Sequence, residues 1–327
     1  ALFRSRLSIA LPLGAFREAG LLVATSLAVG LETVLVAGVA CLGMGLCWLG
    51  DPDRQRSGAI GFGLGLALGL AGHLWLATPA PALLQVACDM LSVVHVVAGT
   101  IGGLGLAASA AVASRLGWPV RLGLLGATGA AALAAVLLVA PRCLGGPYVD
   151  VPPDAFALMF PGIAEAQSLA QRLEFNLASG IGMAATTLAA VPLTLWIAWQ
   201  KQSDARVDWL LVAAFLTVLA VLMLLQIRAA RLAALFALPA GAWLITAARQ
   251  RYLGGQSAGR ALGLVAAWLS FATLAQYVVA SAISAALTKP ETGVALSYGV
   301  DPVSCLMPEA YEELAALPVG RVVAAAG

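Results

Sequence analysis

The stretch GFGLGLALGL, residues 61–70, is apolar on every side, and so is AAALAAVLLVA at 130–140. A membrane-spanning β-strand alternates apolar and polar residues with period two over ~10 positions, and neither stretch alternates. In hydrocarbon every backbone N–H and C=O must find its partner inside the protein, which for such runs leaves the helix. Working outward, the apolar runs Leu21 to Gly50, Val207 to Leu225 and Ala261 to Leu287 reach the ~20 residues that cross a ~30 Å hydrocarbon layer. Composition agrees: 61% of the 327 residues are hydrophobic and 10% charged, against roughly a quarter charged in soluble domains. The chain reads as an all-α, polytopic transmembrane helix bundle.

Hydropathy places spans at about 21–50, 59–77, 93–112, 124–140, 176–199, 208–226, 229–247 and 261–287. The first is too long for one crossing. Gly30 and Glu32 interrupt its middle, so a helix, a turn inside the membrane and a return helix are expected there. With that broken helix near Gly30–Glu32, the bundle has about eight to nine membrane helices. Residues 1–287 then form the helical domain, with 141–175 as an external loop and 288–327 as an outward-facing tail. The chain begins at Ala1 and stops inside the apolar run 321–327, as a fragment missing both ends would. It has no cleavable signal pattern, so the spans themselves must direct insertion.

The loops sort by charge. Arg54 and Arg56, Arg115 and Arg121, Lys201 and Arg206, and the group Arg249, Arg251 and Arg260 fall in alternate loops, which the positive-inside rule assigns to the cytoplasm. Arg4, Arg6 and Arg17 join them if the first segment is a hairpin. Loops 78–92, 141–175 and 226–231, with the tail from 288, face outward and hold Asp89, Asp150, Asp154 and Glu165. A net charge of +2 without a basic run or an aromatic stacking cluster gives nucleic acid no purchase; membrane lipids are the expected partners.

Seven candidate residues stand out. Glu32, in LAVGLETVL, costs ~2.5–3.5 kcal/mol in hydrocarbon and reads equally as a cap at the helix break or a cavity ligand. His73 and His95 lie near the outer ends of successive spans with Asp89 between them, leaving room for a divalent metal, although the spacing matches no metal motif. Asp89 serves equally as the cap of a helix beginning at Leu91. Glu165, in GIAEAQSL, is either a first-turn acid favoured by the helix dipole or an acid that grips an acceptor. Arg228 and Arg231, in QIRAAR, place positive charge in an outward turn. A bidentate arginine there suits a lipid phosphate or pyrophosphate, and snorkelling to headgroups is the plain alternative. Cys41 and Cys47 read as core residues. Cys88, Cys143 and Cys305 face the oxidising side, where a Cys143–Cys305 bridge from loop to tail is one possible pairing. No Walker A, HExxH or CxxC motif occurs, which leaves nucleotide-driven and zinc-protease readings without support.

Several ordered segments resemble a family of bacterial integral membrane proteins similar to the GT-C glycosyltransferase superfamily. They are VGLET (29–33), CDMLS (88–92), PRCLGGPYVDVPPD (141–154), GIAEAQSL (162–169), QIRAARLAALFALP (226–239) and DPVSCLMPEAYEELAALPVGRVVA (301–324). IAEAQ looks like the SVSE-type motif of oligosaccharyltransferase catalytic subunits, with Glu165 as its glutamate. The resemblance implies sugar transfer from a polyprenyl-phosphate-linked donor at the outer face of a bacterial inner membrane, with the tail periplasmic, Glu165 and Asp89 as acids, and Arg228 as a phosphate contact. The first external loop that carries the catalytic acid in that superfamily has no counterpart here, so the fragment alone is expected to be inactive. A transporter or flippase with a midplane site near Glu32 is the rival reading; a noncatalytic membrane scaffold is the third.

Overall fold

The computed structural model describes residues 13–146, 148–155, 163, 165–202 and 204–287. Its regular elements there are all helical, and seven helices are long and apolar enough to cross a membrane, with one further bent pair. The protein is a multi-pass α-helical membrane protein. The described residues fall into two compact units, one drawn from 13–155 and 191–221, the other from 163–190 and 222–287.

The first unit is organised around α3 (Pro52–Ala77). Its 26 residues extend about 39 Å at ~1.5 Å per residue. Along one face it meets α1 (Leu13–Val29): Gly65 lies against the Arg17 backbone, Gly69 against Leu21 and Ala24, and the Thr25 hydroxyl sits 2.9 Å from His73 Nε2. Both sets of numbers rise together, so α1 and α3 run parallel. Along another face α3 meets α4 (Val93–Ala113) in antiparallel fashion, with Gly63 on Gly103, Leu70 on Gly99, and the Arg56 guanidinium donating to the Ala111 carbonyl at 2.7 Å. A Cβ at Gly63 or Gly65 would collide with a neighbouring backbone carbonyl. Glycine is what lets these backbones approach, the usual source of helix association where lipid removes any hydrophobic drive.

Because α1 is parallel to α3, the return helix α2 (Val34–Gly50) must come back, and Asp51 passes it straight into α3. The expected break is present: Gly30 is extended (φ −168°, ψ 123°), followed by the 3-10 turn Leu31–Thr33. Its depth differs from the sequence expectation. Thr25 is level with His73, so Gly30 is level with the C-terminal end of α3 and the turn forms the tip of a helical hairpin, outside the middle of the membrane. The Thr33 hydroxyl and N–H both donate to the Gly30 carbonyl.

Helix α5 (Trp118–Val139) follows α4 as an antiparallel neighbour, with Gly105 against Thr128. At the end shared by Asp51 and Ser114, the fully buried Trp48 indole donates to the Ser114 hydroxyl at 3.1 Å. Arg54, Arg56, Arg115 and Arg121 gather at this end. Gly43 of α2 against Leu211 of the later helix Asp204–Leu225 brings Lys201 and Arg206 to it as well. The alternation read from loop charge is therefore a geometric fact within this unit. Arg17, level with Gly65 and exposed, lies deeper.

At the opposite end, loop 78–92 and the 3-10 turn Pro141–Gly145 are joined by a Cys88–Cys143 disulfide with Cα atoms 5.1 Å apart. This corrects the Cys143–Cys305 pairing considered from sequence; Cys305 and the rest of the tail lie outside the described residues. Arg142 reinforces the seam, donating to the Val86 carbonyl at 3.2 Å and pairing with Asp150 at 3.4 Å.

The second unit holds α6 (Leu169–Phe175), the first part of α7 (Leu177–Gln200), the end of α8 (Asp204–Leu225) and α9 (Ala229–Leu253), while residues 191–221 of α7 and α8 belong to the first unit. The span expected at 261–287 is not one helix. It is α10 (Ala258–Leu269) and α11 (Thr273–Leu287), bent by 95° at a short break. At about 18 and 22 Å neither crosses alone. A break in lipid must satisfy its freed backbone groups, and Gln276 does so by donating to the Ser270 carbonyl at 2.5 Å while the Thr186 hydroxyl of α7 donates to Gln276 Oε1 at 3.0 Å. An apolar cavity of about 310 Å³ opens at this corner, lined by Ile181, Ala185, Leu269, Gln276, Val279 and Ile283.

Gly63→Leu or Gly65→Leu is expected to cost at least about 1–3 kcal/mol by overpacking, read as a lower unfolding midpoint in detergent, whereas Gly126→Leu, whose Cβ meets open space, leaves the midpoint in place. Peptide mapping without reductant should recover Cys88 linked to Cys143; recovery of Cys143 linked to Cys305 would reverse the correction.

Candidate functional site

The two outward motifs meet. The segment carrying Glu165 is stitched to the start of α9 by backbone bonds: the Ile227 N–H donates to the Gln167 carbonyl at 2.8 Å, and the Arg228 N–H to the Glu165 carbonyl at 3.3 Å. These two N–H groups lie just before the first residue of α9, whose own first donors bond to the carbonyls of Gln226, Ile227 and Arg228. Side chains then close the joint. Arg231 Nη2 lies 2.5 Å from Glu165 Oε1, both groups about half exposed. Arg228 Nε donates to Gln226 Oε1 at 3.0 Å. Gln167 adds a buried Oε1 with no hydrogen-bond partner beside this joint.

Local sequence explains how the loop is held. Ser168 caps α6 in a reciprocal box with Gln171, Ser168 N to Oε1 at 2.9 Å and Gln171 N to Oγ at 3.2 Å, so Glu165 precedes the helix by a fixed turn and is not a first-turn acid. Arg172 then binds the Ser179 hydroxyl of α7 at 2.9 Å, setting the corner between α6 and α7. Deeper along α9, Gly241 packs on Phe271 at the α10–α11 break. Ten residues separate Arg231 from Gly241, so the apolar cavity at that break lies about 15 Å below the arginine.

Of the sequence candidates, Glu165, Arg228 and Arg231 are brought together. Glu32 is exposed at the α1–α2 tip. Asp89 is exposed in the first unit, next to the buried Cys88; it caps nothing at Leu91, because α4 begins at Val93 and Ser92 is its cap. His95 reaches back to that cap, its Nδ1 accepting from the Ser92 N–H at 3.3 Å, while the Ser92 hydroxyl donates to the Ala87 carbonyl at 2.6 Å. His73 is occupied by Thr25. Among the described residues no three His, Cys, Asp or Glu side chains converge as metal ligands, so the His73, Asp89 and His95 set does not form a donor cage.

GQSAG at 255–259 has the G-x-S-x-G spacing of a hydrolase elbow. Ser257 is instead the N-cap of α10, accepting from the Arg260 N–H at 3.4 Å, and the chain's two histidines are both in the first unit. Sequence reasoning passed over Gln167 and Gln226. Their signal is a polar amide at the end of an apolar run, beside each charged motif. In comparison with known proteins, the chain matches no family model, no curated protein and no solved structure.

Chemically, the cluster offers one carboxylate oriented by an arginine and a second arginine on a neutral amide. The exposed Glu165–Arg231 pair is worth no more than about 1 kcal/mol, so Glu165→Gln should cost less than Ser168→Ala, which removes a cap worth about 1 kcal/mol. Unfolding in mixed micelles reads the difference; a larger loss at Glu165 would mark the pair as structural.

Proposed function

We propose that the chain is a membrane glycosyltransferase-like protein of the GT-C type, engaging a polyprenyl-phosphate-linked sugar at the face opposite its arginine-rich loops, in a bacterial inner membrane with the tail on the periplasmic side. The observation that carries this reading is the joining of Glu165 and Arg231 across 66 residues of sequence, beside Arg228 and above an apolar cavity. A helix start needs no such partner for its own stability. A ligand with a phosphate head and a hydrocarbon tail has use for both parts: arginine forks the phosphate oxygens, and the cavity takes part of the isoprenoid chain.

In transfer, the acceptor nucleophile bonds to the anomeric carbon while the bond from that carbon to the phosphate oxygen breaks, its electron pair leaving with the phosphate. Arg228 is placed to neutralise the departing charge. Glu165, oriented by Arg231, is placed to accept the acceptor's proton. Asp89, which the family resemblance also implies as an acid, belongs to the first unit and is given no step in this scheme. The ligand set for a divalent ion is not assembled among the described residues. The transport reading rested on a mid-depth carboxylate at Glu32, and the hairpin tip removes that support.

Binding tests the proposal without requiring turnover. A short-chain polyprenyl phosphate should bind the purified chain at least about tenfold more tightly than the uncharged polyprenol, and Arg228→Gln should remove most of that preference, a charge-assisted pair being worth ~1.5–3 kcal/mol. Equal binding of phosphate and alcohol, or an unaffected Arg228→Gln, would sink it.

A further inference from the structure

Helix α5 is the most lipid-exposed span of the first unit: none of its 18-residue apolar window is buried inside the protein. Its one buried residue is an arginine. Arg121 is 9% exposed, and its Nε and Nη1 are both sealed from solvent without a hydrogen-bond partner. An uncompensated guanidinium in such a position is strongly unfavourable, because its donors lose water and gain nothing.

The surroundings explain where it points. Leu125, one turn further along the same face of α5, meets Gly45 of α2, which directs Arg121 toward the C-terminal end of α2, where Trp48 and Ser114 are bonded to each other. The Ser114 hydroxyl donates to the Ala110 carbonyl, and the Asp51 carboxylate is engaged by the Arg54 N–H at 3.2 Å. Arg121 lies three residues inside Trp118, which is largely exposed and marks the interfacial level. That is about 5 Å of depth, within reach of a headgroup. Arg54, Arg56 and Arg115 share this end of the unit with the carboxylates Asp51, Asp53 and Asp208, the last within charge range of Cys47, and the positive end of the α5 dipole adds to the cations.

We infer that Arg121 forms the floor of a phosphate-binding site at the α2–α4–α5 corner of the basic face. The ligand is a phosphoryl group, carried by an anionic membrane lipid or free in solution; basic pockets between membrane helices take such headgroups. The site belongs to the first unit and is independent of the Glu165, Arg228 and Arg231 cluster.

The test uses the full chain, purified in neutral detergent and stripped of lipid, with thermal unfolding followed on addition of phosphatidylglycerol, phosphatidylcholine or inorganic phosphate. Stabilisation by phosphatidylglycerol alone identifies a lipid headgroup, and stabilisation by inorganic phosphate identifies the free anion; either supports the site. Arg121→Met keeps the apolar stem and should be no less stable without ligand, yet bind the stabilising ligand at least about tenfold more weakly. Arg249→Gln, an exposed charge change elsewhere, should bind like the unsubstituted protein. If Arg121→Met does not fold, Arg121→Lys, which keeps the charge and loses the planar fork, must still bind more weakly than the unsubstituted protein. No stabilisation of the unsubstituted protein by phosphatidylglycerol or phosphate, equal stabilisation by phosphatidylcholine, or unchanged affinity in the substituted protein would overturn the inference.

Discussion

Helices already in lipid gain nothing by hiding apolar side chains from water, so what fastens them is how closely their backbones approach. In the first unit that approach happens along α3, where Gly65 and Gly69 receive α1 and Gly63 receives Gly103 of α4. Much else in this unit follows from those contacts. They make α1 parallel to α3, which forces the α2 return and lifts the Gly30 turn to the membrane edge. They set α4 antiparallel to α3, which gathers the arginines at one end and leaves loops 78–92 and 141–145 close enough at the other for the Cys88–Cys143 bridge. A chain-entropy estimate for closing so long a loop is about 4 kcal/mol. That figure is a ceiling here, because helices that stay inserted when packing is lost have less freedom to restrict than a coil.

Interruptions of the helices are the second theme, since each frees backbone groups that lipid cannot satisfy. Three solutions appear. Thr33 satisfies the Gly30 carbonyl locally. Gln276 reaches back to Ser270 and is held by Thr186 from another helix. Just before α9 the carbonyls of Glu165 and Gln167 accept from the N–H groups of Arg228 and Ile227. The first is self-contained and merely turns the chain. The other two recruit distant residues, and they are where the apolar cavity and the Glu165–Arg231 pair are found.

The arginines divide by environment. Arg231 and Arg142 sit at exposed ends with carboxylates beside them, pairs that contribute little to stability and remain open to exchange for a ligand. Arg121 is enclosed without an acceptor, where the same charge is expensive. Residue type does not distinguish them; desolvation does.

Hydropathy is a one-dimensional property, so the sequence by itself determined the helical class, the order of most spans, and the alternation of basic and acidic loops. It placed α4 and α7 nearly residue for residue. It started α3 too late because the helix continues past its last apolar residue into DPDRQRS, where the Asp51 cap replaces hydrocarbon as the reason to stay helical. The break at Gly30 was legible because glycine and a carboxylate interrupt an apolar run. The break at 270–272 was not, because its compensation lies six residues ahead in Gln276 and 90 residues away across the Thr186 bond. Glu165, Arg228 and Arg231 were legible as charges out of place, but not as partners. Which cysteine pairs with Cys143, how deep Glu32 sits, and that Arg121 is buried were decided only by tertiary structure. Each depends on which helices pack together and in which direction, and local apolarity, the same on every side of these helices, carries no record of that.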